Sequence, residues 1–337
     1  MNAVVVQRPG KVGVERVDDP VPGRRELLVR VEACGICGTD LHVLDGELPS
    51  TRYPIIPGHE FCGEVVAAGA EVQHLRVGDF VAVDPNLPDG ECHFCQAGRE
   101  NLCENYEAIG VTRPGACAEL VAAPAANAFA LPADLPRAWG SLVEPLSCAV
   151  HGFDRLGARL ADRYLIYGAG TMGLLMAQLA QRAGAAGVDV VDVNASRLAV
   201  AERLGADRTA TSAEELDRPR GWEVVIDASG AVRAIEDGLR RVARGGTFLM
   251  FGVTAAEASV SFSPFRIYNE EINVIGSMAV LHSFERARDL LVAGAIDAAA
   301  MITHRMALDS YEEAITTFRR GDGLKTQVVP AADDQAG

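Results

Sequence analysis

The stretch "RYLIYGAGTMGLLMAQLAQRAGAAGVDVVDV", residues 163–193, decides how the second half of the chain folds. An apolar run reaches a cluster of glycines, apolar residues then recur at helical spacing as far as Gly184, and a second apolar run ends at Asp192. That order reads as strand, helix, strand. Within it, Gly168, Gly170 and Gly173 have the G-x-G-x-x-G spacing, with Thr171 and Met172 between the last two. Glycine turns are common, so the spacing is weak alone. Its position between a strand and a helix, with Asp192 19 residues beyond Gly173, makes it specific. Gly168 permits the tight turn, Gly170 lets a pyrophosphate approach the backbone, and Gly173 packs helix against strand. The phosphate charge would rest on the helix N-terminus. Asp192 would accept hydrogen bonds from the adenosine ribose and repel a 2′-phosphate, which favours NAD over NADP. Arg197 reads either as a neighbour of that ribose or as an exposed residue at a helix start.

Outward from this loop the chain has two rhythms. Residues 4–130 read as short strands broken by Gly and Pro, with period-two runs such as "ELLVRVEACG", "FCGEVVAAG" and "GDFVAV". "RAWGSLVEPLSCAVHGF", residues 137–153, reads as an apolar helix. After the glycine loop come the helix "SRLAVAERLGA", the strand "WEVVIDAS", the helix "AIEDGLRRVARGG", and the strands "TFLMFG" and "INVIGSM". Such alternation predicts a parallel, doubly wound α/β sheet. From about Ser283 the tail reads as helical, closing on an extended "LKTQVVP".

Composition narrows the class. At 337 residues, two domains are expected. The net charge of −15 excludes a nucleic-acid or anionic-membrane surface as the main business of the chain. No apolar run approaches a membrane span of ~20 residues, and the opening "MNAVVVQRPGKVGVERV" does not read as a signal peptide. Eight cysteines without export signals point to thiolates and metal ligands in the cytosol, not to disulfides. Of the 31 Lys and Arg residues only Lys11 and Lys325 are lysine, a bias read as genome composition.

Two groups of residues carry metal chemistry. In "YPIIPGHEFCGEVV", His59 and Glu60 stand side by side after Pro57-Gly58. Neighbouring side chains reach one ion only if the backbone turns sharply, and Pro57-Gly58 supplies a turn. Cys37 in "ACGICGTDLH" and Glu144 in "LVEPLSCAVHG" complete a thiolate, imidazole and carboxylate set suited to zinc. Glu144 lies in an apolar segment, where an unpaired carboxylate would be costly. Cys34 and Cys62 read as small buried residues. The second group is "DPNLPDGECHFCQAGRENLC", where Cys92, Cys95 and Cys103 form C-x2-C-x7-C. Three thiols in a Gly/Pro-rich lobe predict a structural zinc. Asp89 reads either as the fourth ligand or as a solvated loop acid.

Together these features resemble the zinc-dependent medium-chain dehydrogenase/reductase family over nearly the whole chain. "GHEFCGEVVAAGAEV" is similar to that family's zinc signature through Gly58, His59, Glu60, Gly63, Gly69 and Val72. The resemblance implies a GroES-like, mostly-β catalytic domain over residues 1–147 and 283–337, interrupted by a Rossmann NAD-binding domain over 148–282. It implies an active site in the cleft between them and an assembly as homodimer or homotetramer. Glu144-Pro145, in place of a second cysteine, and "CGICGTDLH" resemble the sorbitol-type polyol dehydrogenase branch. Asp89 departs from the first cysteine that most lobed members carry.

The same resemblance implies oxidation of a secondary hydroxyl of a polyol to the ketone, with hydride transfer to NAD. Zinc acts as Lewis acid. Thr39 takes the proton and His42 passes it to solvent, while Glu60 and Glu144 exchange with water as coordination changes. A threonine-, simple-alcohol- or cyclitol-type dehydrogenase of the same family is the alternative activity. A non-enzymatic NAD-binding regulator and a zinc-finger-like binding module are rivals of other classes. Leu48, Thr112, Phe265 and Met278 are candidate pocket positions for which apolar core is the safer reading.

Overall fold

The computed structural model describes residues 1–330. The chain divides into two compact units: Met1–Ser147 with Val280–Gly294 and residues from Ala298 onward, and Cys148–Ala279 with Ala295–Asp297.

The first unit is built on a seven-stranded sheet. Its path runs Ile302–Ala307, Lys325–Val329, Glu26–Gly35, Glu60–Ala68, Phe80–Val83 and Ala128–Ala130, and Leu120–Pro124 also pairs with Glu26–Gly35. The ten-residue strand Glu26–Gly35 changes partner along one edge. Residues 26–30 pair with Leu120–Pro124, whereas Cys34 and Gly35 pair with Val328 and Gln327. Leu27, Val29 and Val31 alternate inward along it, as period-two patterning requires, and pack with Phe61, Val65, Val81 and Val83. From Ala33 to Gly35 every residue is buried, and there the late strand Lys325–Val329 pairs along its edge. That late strand is itself reached by a crossover: Ile302–Ala307, the helix Tyr311–Arg320, then Lys325–Val329 parallel to the first.

The tail therefore differs from its reading as mostly helical. "ITHRMA" carries His304 and Arg305 in succession and leaves Thr303 and Arg305 exposed between half-buried residues, so its strand character depends on its partner. A second element absent from the sequence reading is the helix Gly38–Asp45. It starts at Cys37, whose backbone N–H donates to Asp40 Oδ2, and stops at Gly46 in the left-handed region.

The second unit holds a six-stranded parallel sheet. Its order is Arg208–Ala210, Gly187–Val191, Arg163–Tyr167, Trp222–Asp227, Val242–Met250, Asn273–Gly276. This is the doubly wound order that reverses at Arg163–Tyr167, the strand feeding the glycine loop. Trp222 and Phe248 anchor its core, each at 1% exposure or less. Burying aromatics of this size contributes roughly 1.5–3 kcal/mol each. The Trp222 indole N–H donates to Asp189 Oδ2 at 2.7 Å, so no polar atom is stranded there.

Two expectations need correction here. The helix read through "AIEDGLRRVARGG" ends at Arg241, and residues 242–246 open the next strand, because Gly245 and Gly246 disfavour continued helix. Phe265 and Met278, read as apolar core, are 70% and 46% exposed. Among the described residues, no helix is long and apolar enough to cross a membrane.

Candidate metal and cofactor sites

The turn before the strand Glu60–Ala68 answers why two ligand types stand together. Gly58 takes φ +96°, and a Cβ there would lie 2.6 Å from the sulfurs of both Cys34 and Cys117. Only glycine allows this reversal, and His59 and Glu60 follow it into the interior at 7% and 1% exposure. Cys37, His59 and Glu60 each offer a ligand atom, and these atoms all lie within 4.8 Å of one another. His59 Nδ1 is buried and makes no hydrogen bond among the described residues. Thiol, imidazole and carboxylate atoms gathered this closely in the interior are a donor set that fits zinc.

Glu144 stands outside that group of three. It is buried at the start of the helix Val143–Leu156, and its charge acts on Lys325. Lys325 was missed as a site residue. Its Nζ donates to Glu60 Oε2 at 2.5 Å and to the Ile36 carbonyl at 3.1 Å. Burial opposes its charge, but Glu60, Cys37 and Glu144 outweigh it and raise its pKa above the ordinary lysine value. Lys325 is one of only two lysines in a chain whose other cations are arginines. Lysine is the narrower cation, and Gly35 makes room for its stem at the Glu60 contact.

Asp40, also missed, ties the two halves of the site. Its Oδ2 accepts from the Cys37 backbone N–H at 2.8 Å and its Oδ1 from the Gly58 N–H at 3.1 Å. Oδ1 lies 3.6 Å from His59 Nδ1. Burial opposes protonation of His59, yet the Asp40 carboxylate and Cys37 hold its pKa well above the usual value. The Thr39 hydroxyl lies 3.9 Å from the Cys37 sulfur. His42, on the same short helix, is partly exposed and meets Glu47 at 2.5 Å through Nδ1, a partner the sequence did not suggest.

The lobe brings Asp89, Cys92, Cys95 and Cys103 together, again within 4.8 Å. Asp89 Oδ1 accepts from the N–H groups of Glu91 and Cys92, and Oδ2 from Asn105. These bonds, led by the Cys92 N–H, hold its carboxyl far below the ordinary range. Backbone donors, Cys95 first, pull the Cys92 thiol down, whereas burial pushes Cys95 up to about 12. A ready carboxylate and an eased thiol among three sulfurs fit a structural zinc.

At the glycine loop, Gly168 takes φ +101°, and any side chain on Gly173 would overlap the Gly168 carbonyl. The space over Gly170 is open, with the nearest atom Arg197 Nη1 at 3.9 Å from where a Cβ would stand. The helix Thr171–Arg182 has no side-chain cap, so its first N–H groups remain available to an anion. Asp192 Oδ2 accepts from the Ala169 N–H at 2.6 Å and Oδ1 from Asn194 at 2.7 Å. The acid thus braces the loop, and the cradle fits a dinucleotide.

Comparison with known proteins agrees with this geometry. Residues 23–133 match the family model of the alcohol dehydrogenase GroES-like domain, and residues 171–293 that of the zinc-binding dehydrogenase. The chain is 36% identical to D-arabinitol dehydrogenase 1 of Uromyces fabae, covering 98% of this chain and 97% of that protein. It is 33% identical to L-threonine 3-dehydrogenase of Alteromonas mediterranea, covering 95% and 97%. A solved zinc-binding dehydrogenase from Sinorhizobium meliloti 1021 bound to NADP is 38% identical, with a TM-score of 0.94 over 98% of this chain and 99% of that one. The chain belongs to the zinc-dependent medium-chain dehydrogenase/reductase family, and it shares that family's oxidoreductase chemistry and its zinc and nicotinamide cofactors.

Proposed function

We propose that this dehydrogenase oxidises a secondary hydroxyl of a polyol to the ketone, with NAD as hydride acceptor. The observation that carries the reading is the mixed donor set of Cys37, His59 and Glu60, with Lys325 charged against Glu60. Similarity to a D-arabinitol dehydrogenase supports the substrate class. Zinc, when bound, supplies Lewis acidity that makes a hydroxyl proton easier to remove. Cys37 and His59 would hold it, and Asp40 fixes both through the Cys37 and Gly58 backbones. The Thr39 hydroxyl, 3.9 Å from the Cys37 sulfur, would accept the substrate proton. His42, braced by Glu47 and partly exposed, returns it to solvent. The carbon gives up its hydrogen with both electrons, so a ketone, a reduced nicotinamide and one proton result.

Asp192 at the loop favours NAD, although the similar Sinorhizobium structure holds NADP. A threonine dehydrogenase is the second reading, favoured by the 33% relative. Nucleotide reduction measured over pentitols, hexitols, threonine, ethanol and inositols, with and without chelator, tests the assignment. Polyols should give the highest kcat/KM, and the chelator should remove it. A higher kcat/KM on threonine or ethanol overturns the polyol reading.

A further inference from the structure

The chain carries a net charge of −15, yet one cavity in its parallel-sheet unit gathers six arginines. The cavity is about 600 Å³ and opens where the strands Trp222–Asp227 and Val242–Met250 begin. These strands run parallel to Arg163–Tyr167, whose far end feeds the glycine loop. The cavity is therefore at the opposite end of the sheet from the loop, about 17 Å away along a six-residue strand.

Four of the six guanidiniums have structural work. Arg218 donates to the Gly221 carbonyl and faces Glu223 at 3.5 Å. Arg240 and Arg241 share Asp237 at the C-terminal end of their helix, where cations offset the helix dipole. Arg266 pairs with Glu270 and donates to the carbonyls of Leu239 and Val242. Arg220 and Arg244 are different. Both are exposed, and neither makes a hydrogen bond or ion pair among the described residues. Each precedes a glycine in the left-handed region, Gly221 at φ +75° and Gly245 at φ +71°, so tight turns set where both side chains leave the backbone.

Six guanidiniums thus line this concave site with two carboxylates, Glu223 and Glu270, while Asp237 pairs with Arg240 and Arg241 outside the lining and Glu236 lines the neighbouring cleft. Partner-free forks beside braced ones match the oxygen geometry of phosphate, which takes two parallel N–H bonds from a single arginine. A smaller cleft of about 320 Å³ adjoins and shares Arg240 and Arg266, with Leu239, Phe262 and Ile267 giving it an apolar wall. We propose that this paired cavity is a second anion site, separate from the cofactor loop, that takes a phosphorylated organic metabolite carrying at least two negative charges.

Inorganic pyrophosphate is the probe for the anionic part. It is titrated calorimetrically into the zinc-loaded enzyme with saturating NADH, which fills the glycine loop, at fixed ionic strength. Wild type should bind pyrophosphate with about one site per chain, and the R220A/R244A double variant should bind it at least about tenfold more weakly, the equivalent of losing one charge-assisted bond. NADH affinity and polyol turnover should be unchanged in the variant, which shows that it is folded. No pyrophosphate binding by wild type, or equal binding by the variant, overturns the proposal. Because the readout is binding with the cofactor in place, it does not depend on which alcohol the enzyme oxidises.

Discussion

Lys325 Nζ stands 2.5 Å from Glu60 Oε2, with both residues at 2% exposure or less. The pair joins a strand near the end of the fold to one near its beginning, beside Cys37 and His59. Removing one member leaves a buried charge without its partner, which typically costs about 3–5 kcal/mol. Lys325→Met should therefore lower the urea midpoint sharply, and the double variant with Glu60→Gln should recover part of that loss. Additive losses in the double-mutant cycle would show that the two residues act independently.

The lobe is expected to hold its metal for stability and not for turnover. Cys92→Ser or Cys103→Ser should lower zinc content by about one ion per chain and depress Tm, because the lobe has little apolar core of its own. Turnover per remaining zinc should stay near wild type. Cys37→Ser should instead abolish turnover, and elemental analysis of both variants separates the two sites.

Asp192 braces the loop by accepting from the Ala169 and Asn194 N–H groups, and the proposed function gives it the adenosine ribose as well. Asp192→Ala should weaken NAD by about tenfold or more, the scale of one lost charge-assisted hydrogen bond. NADP should suffer less, since a repulsion disappears with the carboxylate. Steady-state kinetics with both nucleotides decide it, and an unchanged ratio would remove Asp192 from cofactor choice.

A pH effect is expected at Asp84. Burial pushes its carboxyl up from the ordinary 3.8 to about 6, although the N–H groups of Asn86 pull the other way. The folded form holds a proton that the unfolded chain releases earlier. Stability from this group is therefore full below pH 3.8 and declines as pH rises through about 6. Asp84→Asn removes that decline and should stabilise the protein at pH 8 by about 1–3 kcal/mol relative to wild type, with little gain at pH 4. Urea midpoints at the two pH values check the sign.

The parts of the molecule that local chemistry dictates were readable in advance. The glycine loop, the cysteines of the lobe and the His59-Glu60 turn depend on spacing within a few residues, and the structure brings each of these groups together, with Asp89 beside the three sulfurs. What escaped depends on distant partners. Lys325 and Asp40 look like ordinary solvated charges until Glu60 and Gly58 are placed against them. Ile302–Ala307 becomes a strand because Lys325–Val329 lies beside it. Glu144, expected as a further ligand, lies outside the close group of three and bears electrostatically on Lys325, a neighbour far along the chain.

The 265 residues separating Glu60 from Lys325 also set an order of events during synthesis. A ribosome adding about 5–20 residues per second leaves the Cys37, His59 and Glu60 cluster waiting roughly 13–50 s for its cation. Through that interval an incoming ion meets a carboxylate with no ammonium opposite it and a strand with one edge still bare. The charge balance at these donors is therefore completed only once Lys325 has been made, and a nascent chain stalled short of it carries the donors without that balance.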